Sequence, residues 1–148
     1  MPVNPDLTER AFEKTSPYLV GREKVREFSR AVFASSPVNF SVEAAHEAGF
    51  ADVVAPPSFA IVLQQLTLDQ LIGAEDAGIE LTHVVHGAQQ FTYTRPIVAG
   101  DELTAQLSVT SIKTLGGNAM ITAESAVHDI RGEHVVTAVS TLVVRGDA

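Results

Sequence analysis

Histidine is the main source of reactive side chains in this chain of 148 residues, which has five histidines and no cysteine. His83 and His86 lie three residues apart in a segment of strand-like composition. Residues at that spacing on a strand point to opposite faces, so the pair forms no chelate by local spacing. The absence of cysteine excludes disulfides, Cys-ligated zinc and thiolate nucleophiles. We therefore expect neither a metal site nor a cofactor. Two interpretations of His86 stay open, namely a strand-end histidine in a hydrogen bond and a histidine that faces a pocket.

A second group of side chains that could do chemistry is basic. Arg22, Lys24, Arg26 and Arg30 form the only basic concentration in a chain whose formal net charge is −8. Glutamates occupy neighbouring helical turns, so one interpretation is a solvated helix face with paired charges. The other interpretation is a docking surface for an acidic partner.

Composition limits the kind of protein that positions these groups. Hydrophobic residues make up 45% of the chain and charged residues 19%, which indicates one globular domain with an apolar core. The excess of acidic residues argues against a nucleic-acid surface and against docking on anionic lipid. Residues 1–13 lack the apolar core of a secretory signal, and no apolar run approaches the ~18 residues of a membrane span. We therefore expect a cytoplasmic protein without a nucleic-acid or membrane partner.

Three helices are predicted in the first half of the chain. Residues 22–33 carry apolar side chains on one helical face, and the following Ser-Ser-Pro ends the pattern. Ser41 is a suitable N-cap for a short helix that ends at Gly49. Residues 59–73 are apolar nearly all round, which is typical of a buried helix. Residues 1–16 form a polar segment without periodicity, so we place the domain at residues 17–148.

The second half of the chain predicts four strands in a meander-like order. They are rich in Val, Ile and Thr with partial alternation, and Gly87 in the first strand indicates a bulge or a close backbone approach. The segments are 82–94, 99–113, 119–129 and 134–145. Helices followed by strands indicate an α+β fold, here a single antiparallel sheet with one buried helix. A valine-rich sheet edge is an association surface, so we expect a dimer that continues the sheet.

Four stretches carry a resemblance to a known family. They read GREKVREF at residues 21–28, VAPPSF at 54–59, VHGAQQF at 85–91 and RPIVAGDEL at 95–103. Together they resemble the MaoC-like hydratase/dehydratase family, and most closely its HadA-like dehydratase subunits from actinobacteria. The resemblance implies the hotdog fold, in which a curved antiparallel sheet wraps around a long central helix.

Active members of this family dehydrate (3R)-hydroxyacyl thioesters with an Asp and a His five residues apart, around an Asn-Pro. Alignment on Pro37 places Ala34 at the acid position and Asn39 at the base position. The glycine whose backbone N–H supplies the oxyanion donor aligns with Pro57, which has no N–H. A one-residue slip would place Ser35 or Ser36 at the acid position and would restore no carboxylate. We therefore predict that the chain has no hydratase site of its own.

The resemblance implies a subunit that holds the acyl chain while a partner hotdog subunit supplies the dyad. We expect the acyl group to contact Phe59, Val62, Leu63, Leu66 and His86. We expect Arg22, Lys24 and Arg26 to bind the carrier, which is an acyl carrier protein or coenzyme A. The pathway would be fatty-acid or polyketide assembly.

Two alternatives stay open. The first is a homodimeric hotdog protein that binds acyl thioesters without catalysis. The second is a hotdog thioesterase, which needs a carboxylate near the start of the central helix. Asp52 and Glu43 are the nearby carboxylates, and neither lies in a convincing motif.

Overall fold

The computed structural model describes residues 2–146. Three helices lie in the first half of the chain: α1 (Arg22–Ala31), α2 (Val42–Glu47) and α3 (Ala60–Ile72). Five strands form one sheet: β1 (Tyr18–Leu19), β2 (Val84–Tyr93), β3 (Glu102–Leu115), β4 (Asn118–Asp129) and β5 (His134–Val144). Short 3-10 turns lie at Pro5–Glu9, Pro37–Asn39, Pro57–Phe59 and Leu81–His83.

The sheet is antiparallel with the strand order β1-β3-β4-β5-β2. Strands β3, β4 and β5 form the predicted meander. The prediction is wrong for β2, which pairs with β5 and not with β3. The reason is that residues 94–101 form a crossover and not a hairpin. Backbone hydrogen bonds from Ala55 N–H to Ile97 C=O (2.8 Å) and from Ala99 N–H to Val53 C=O (3.0 Å) hold the crossover against the loop before α3.

Helix α3 packs on the curled sheet and supplies the centre of the core. Phe59 and Leu63 are fully buried in one apolar cluster, and Leu68 and Leu71 are buried in a second cluster towards the other end of the helix. This is the arrangement of a central helix and a curved sheet that the hotdog resemblance implies. Burial of apolar side chains at each end of α3 therefore stabilises its packing on the sheet.

Local signals set the ends of the short elements. The Ser41 side chain accepts a hydrogen bond from the N–H of Ala44 at 3.1 Å, so the predicted N-cap of α2 is confirmed. Gly49 follows α2 with φ +93°, as a C-terminal glycine should. Helix α1 ends at Ala31, two residues before the predicted end.

The edge strand β2 contains the predicted bulge. Its register with β5 shifts between His86 and Ala88, so the prediction at Gly87 is confirmed. Within the described residues, β2 pairs with β5 alone. Its other edge therefore carries backbone groups without a strand partner.

The opposite edge of the sheet is covered by the N-terminal segment. Thr15 N–H donates to Ala105 C=O at 2.9 Å, and the Thr15 side chain accepts from Ala105 N–H at 3.0 Å. Leu7 is fully buried in the second apolar cluster. The N-terminal segment therefore packs with the rest of the fold along β3. No helix in residues 2–146 is both long and apolar enough to cross a bilayer.

Substitution of Gly78 tests how much the packing of the N-terminal segment contributes to the free energy of unfolding. A Cβ added at Gly78 would lie 2.2 Å from the carbonyl oxygen of Pro2, whereas one added at Gly49 would have no heavy atom within 4 Å. Both glycines have positive φ, so both alanine variants carry the same kind of left-handed strain. We expect Gly49→Ala to lower the free energy of unfolding by about 1 kcal/mol. We expect Gly78→Ala to lower it by roughly 2–3 kcal/mol, because Pro2 must also be displaced.

Chemical denaturation of both variants measures the difference. Equal losses would show that the contact between Gly78 and the N-terminal segment contributes nothing to stability.

Candidate functional site

A cavity of about 400 Å³ lies at the N-terminal end of α3. Its walls come from the turn before α2, from the loop that leads into α3, and from the end of β2 with the start of the crossover. Its lining residues are Asn39, Val54, Ala55, Pro57, Tyr93, Thr94, Arg95 and Pro96. Asn39 and Pro57, which we predict from the sequence to occupy the family's base and oxyanion positions, both line this pocket.

Asn39 is buried and acts in this pocket as a structural amide. Its Nδ2 donates to the carbonyl of Val54 at 2.7 Å, while Val54 N–H donates to the carbonyl of Val38 at 2.9 Å. These bonds fasten the 3-10 turn to the loop before α3. A carboxamide has no titratable proton near neutral pH, so Asn39 cannot serve as a general base. Ala34, the residue predicted at the acid position, is half-buried and lies outside the pocket lining.

The N-terminus of α3 is occupied by the Tyr93 hydroxyl. Pro57 has no N–H to donate, and its carbonyl accepts a hydrogen bond from Tyr93 Oη. Burial raises the pKa of Tyr93 to about 12, although a hydrogen bond with the backbone of Ala60 partly opposes this rise. The phenol therefore stays protonated at neutral pH, and its hydroxyl is bonded to the turn that leads into α3.

Arg95 contributes a charge at the pocket rim, but acidic neighbours hold it. Its guanidinium donates to both carboxylate oxygens of Asp101 (2.9 and 3.1 Å) and to Asp129 (3.2 Å). The hydrogen bond with Asp101 is the main cause that raises the Arg95 pKa. Asp101 also accepts from the backbone N–H of Val98. The Arg-Pro-x-x-x-Gly-Asp motif therefore has a structural role, because its Asp101 side chain accepts hydrogen bonds from Arg95 and Val98 within the crossover.

The structure places the predicted acyl contacts on two sides of α3. Phe59 and Leu63 are fully buried, and Phe59 packs edge to face against Phe28 with ring centroids 5.3 Å apart. Val62 is half-buried, and Leu66 is 37% exposed. None of the four is among the residues that line the pocket.

His86 lies on the edge strand β2, apart from the pocket at the start of α3. Its side chain is exposed, and Nε2 lies 3.1 Å from the carbonyl oxygen of Ala88 across the bulge. The structure therefore does not bring His86 together with Asn39 and Pro57, which line the pocket.

A buried polar cluster joins α3 to the sheet and was not predicted. Gln64 is fully buried, and its Nε2 donates to the carbonyls of Ala138 (3.0 Å) and Ala123 (3.3 Å). Its Oε1 accepts from Ser140 Oγ and from Gln89 Nε2, both at 2.7 Å. The expectation that α3 is apolar nearly all round is therefore wrong on the face towards the sheet.

Thr67 extends the same cluster by one helical turn. Its Oγ1 donates to the carbonyl of Gln64 at 2.7 Å and lies 2.7 Å from Ser125 Oγ. A signal for this cluster was present in the sequence. Gln64 and Thr67 are three residues apart and share a helix face. Ser125 and Ser140 occupy inward-facing positions of β4 and β5, in which side chains alternate between the two faces of the sheet.

The predicted carrier-binding cations of α1 are each held by a carboxylate of this chain. Arg22 donates to both oxygens of Asp52, Lys24 lies 3.5 Å from Glu27, and Arg26 pairs with Glu23. The hydrogen bond from Arg22 is the main cause that lowers the Asp52 pKa.

The carboxylates named for a thioesterase lie outside the pocket lining. Asp52 is engaged by Arg22, and the Glu43 carboxylate accepts from Ser41 Oγ at 3.3 Å at the start of α2. Among the described residues, no three His, Asp or Glu side chains converge as a metal site would require.

Comparison with known proteins identifies the family. The sequence profile described as "FAS1-like, dehydratase domain region" matches residues 7–138. The chain belongs to this family of MaoC-like dehydratases. A UPF0336 protein of Clavibacter michiganensis subsp. michiganensis is 65% identical to this MaoC-like chain over 147 residues, which is 99% of each protein.

Two solved structures confirm the hotdog fold. One is a C-terminally truncated HadBC (3R)-hydroxyacyl-ACP dehydratase complex from Mycobacterium tuberculosis. It matches with a TM-score of 0.83 and 31% identity over 90% of this chain and 94% of that one. The other is titled a MaoC-like dehydratase, and it matches with a TM-score of 0.81 and 34% identity. That match covers 95% of the present MaoC-like chain and 43% of the other.

Replacement of Gln64 tests the polar cluster. Gln64→Leu would remove the hydrogen bonds of Gln64 to the carbonyls of Ala123 and Ala138, to Ser140 Oγ and to Gln89 Nε2, so we expect the free energy of unfolding to fall by about 2–4 kcal/mol. Gln65→Leu is the matched control, because Gln65 is an exposed neighbour that bonds only to Asp69. We expect the control to change stability by no more than about 0.5 kcal/mol. Similar losses in the two variants, measured by urea denaturation, would contradict a structural role of the cluster.

Tyr93 gives a prediction for alkaline pH. Its folded-state pKa is raised from about 10, so its contribution to stability is present below pH 10 and is lost as the pH rises through about 12. We expect the ultraviolet titration of Tyr93→Phe to lack a transition near pH 12 that the wild type has. The variant should also lose about 1 kcal/mol of stability at neutral pH, because the bond to Pro57 is gone. If the variant instead lacks a transition near pH 10 that the wild type has, Tyr93 is solvated and the prediction is wrong.

Proposed function

We propose that this chain is the dyad-less subunit of a heteromeric (3R)-hydroxyacyl-thioester dehydratase. The observation that carries the proposal is the pocket at the start of α3, in which Asn39 and Pro57 lie together. In this subunit the pocket supplies no catalytic group, and the Asp/His dyad comes from a partner hotdog subunit.

The chemistry of dehydration supports this assignment. One group must remove the C2 proton, a second must protonate the departing hydroxyl, and a donor must stabilise the developing oxyanion. The residues that line the pocket, among those the structure describes, include no carboxylate and no imidazole. The Asn39 amide donates to the Val54 carbonyl, and the Tyr93 hydroxyl, whose pKa is raised to about 12, donates to the Pro57 carbonyl.

The free edge of β2 supports a heteromeric assembly. Residues 2–19 cover the β3 edge, so β2 offers the other edge for another strand. The solved HadBC structure is titled a complex, and the larger MaoC-like dehydratase is more than twice the length that this chain matches. Both observations fit a fold that functions in pairs.

We assign acyl contact to the region of α3 and β2. Val62 and Leu66 offer apolar surface on the accessible side of α3, and Phe59 and Leu63 form the packed layer beneath them. His86 contributes a polar group on β2. The acyl chain would lie where this surface meets the partner subunit, because apolar side chains there gain stability by excluding water.

The carrier would be an acyl carrier protein or coenzyme A, in fatty-acid or polyketide assembly. Arg22, Lys24 and Arg26 remain the predicted carrier contacts. Each is exposed or half-buried and keeps further N–H donors beside its carboxylate partner, so a phosphate could bind to the same cations. Anion binding there would be salt-sensitive, since mobile ions screen the attraction between exposed charges.

A homodimeric acyl-binding protein is the second candidate, and the same β2 edge supports it. A second copy of this chain could pair with β2 as readily as a different hotdog subunit could. The two candidates differ in one respect, because only the heteromer acquires an Asp/His dyad.

Co-expression tests the proposal. This chain should be prepared alone and together with a dyad-bearing MaoC-like chain of the same organism, and hydration of a crotonyl thioester should be measured. We expect no activity above background from this chain alone and a stable, active complex with the partner. Replacement of the partner's dyad histidine by alanine should lower kcat by about 10²–10⁴-fold, because a general acid–base group is removed.

Two results would contradict the proposal. One is hydratase activity of the isolated chain that is lost in Asn39→Ala. The other is a homodimer that forms no complex with the dyad-bearing chain, which would favour the second candidate.

A further inference from the structure

The C-terminal end of α1 holds a residue in an unusual backbone conformation. Phe33 has φ +60°, and it is the one non-glycine residue with positive φ in the described chain. Its N–H donates to the carbonyl of Arg30 at 3.2 Å, and Ala34 N–H donates to the carbonyl of Ser29 at 2.8 Å. This bonding pattern is a Schellman motif, in which glycine is preferred at the position of Phe33. A bulky residue there strains the backbone.

The Phe33 side chain is also 92% exposed. Val32 beside it is 43% exposed. The ring therefore gains little from burial in this chain, and the backbone beneath it is strained. Because neither feature stabilises the isolated subunit, the two together indicate a residue that contacts another molecule.

Arg30 places a positive charge next to this apolar pair. It lies in the last turn of α1, it is exposed, and it makes no ion pair or side-chain hydrogen bond within residues 2–146. The three cations nearer the start of α1 differ from it, because each of them is paired with a carboxylate. Arg30, the α1 cation without a carboxylate partner in the described residues, therefore lies at the end of the helix where the Phe33 ring is exposed.

We propose that Arg30, Val32 and Phe33 form a docking point for an acidic acyl carrier protein. The inference rests on the proposed function and specifies its partner. The chain has a net charge of −8 and repels an acidic protein at long range, so docking needs a local cation beside an apolar contact. Arg30 meets a carboxylate of the carrier, while Phe33 and Val32 pack on an apolar part of its surface.

The experiment compares two substrates of the co-expressed complex. Crotonyl-carrier protein requires the docking point, whereas crotonyl-coenzyme A has no carrier protein. We expect Phe33→Gly and Arg30→Ala each to raise KM for crotonyl-carrier about tenfold, in the usual range for loss of a central interface contact. Both kcat values and KM for crotonyl-coenzyme A should stay unchanged. Phe33→Gly should melt no lower than the wild type, because glycine relieves the positive φ.

Lys113 and Leu115 supply matched controls. They are an exposed cation and an exposed apolar residue near the β3–β4 turn, without the left-handed strain. Lys113→Ala and Leu115→Ala should leave KM for both substrates unchanged.

Three outcomes would overturn the carrier assignment. They are an unchanged KM for crotonyl-carrier in both α1 variants, an equal rise in KM for both substrates, and loss of subunit assembly in Phe33→Gly. The third would assign Phe33 to the subunit interface.

A wild-type complex that is inactive on both substrates would refute the proposed function instead. In that case calorimetric titration of the complex with the carrier protein still tests docking, and it should show weaker binding in both α1 variants than in the wild type.

Discussion

A five-stranded open sheet has two edges, and this chain covers one of them. The N-terminal segment lies along β3 through hydrogen bonds between Thr15 and Ala105, and β1 continues the same cover. Strand β2 is ten residues long and has a neighbouring strand on one side, and within the described residues its other side has no strand partner. An edge of this length is a template for strand pairing. The asymmetry determines where a partner can join, and the proposed heteromeric function depends on it.

The position of α3 connects this edge to the pocket. The Gln64 cluster fastens the middle of the helix to β4 and β5, and Gln89 extends the cluster to β2. The N-terminus of the helix is fixed by Tyr93, which is the last residue of β2. The edge strand β2 therefore contacts α3 at its middle, through Gln89, and at its N-terminal end, through Tyr93. A partner that pairs with β2 would meet both the pocket and the accessible side of α3.

The sequence predicted the elements whose signals are local. The amphipathic pattern of α1, the Ser41 cap and the glycine bulge at residue 87 were all found, because propensity and capping act within a few residues. The long-range order was partly missed. The pairing of β2 with β5 depends on the crossover at 94–101, whose hydrogen bonds join it to residues 53–55 far along the chain.

The pocket was predictable only in part. The family motif indicated Asn39 and Pro57, since alignment on Pro37 needs no structure. Tyr93 and Arg95 were not identified as pocket residues, because their proximity arises from tertiary packing. The polarity of Gln64 was masked by its apolar neighbours on α3. A single polar residue in a mostly apolar buried helix therefore indicates a hydrogen-bond partner on the facing sheet, because buried polar groups are nearly always paired.

Hydrogen–deuterium exchange of the chain with and without the dyad-bearing partner shows which edge of the sheet pairs with that partner. We predict that partner binding slows exchange of the β2 amides on its free edge, while amides along the covered β3 edge are unchanged. Protection that appears along β3, or no new protection in β2 on complex formation, would contradict the assignment of β2 as the pairing edge.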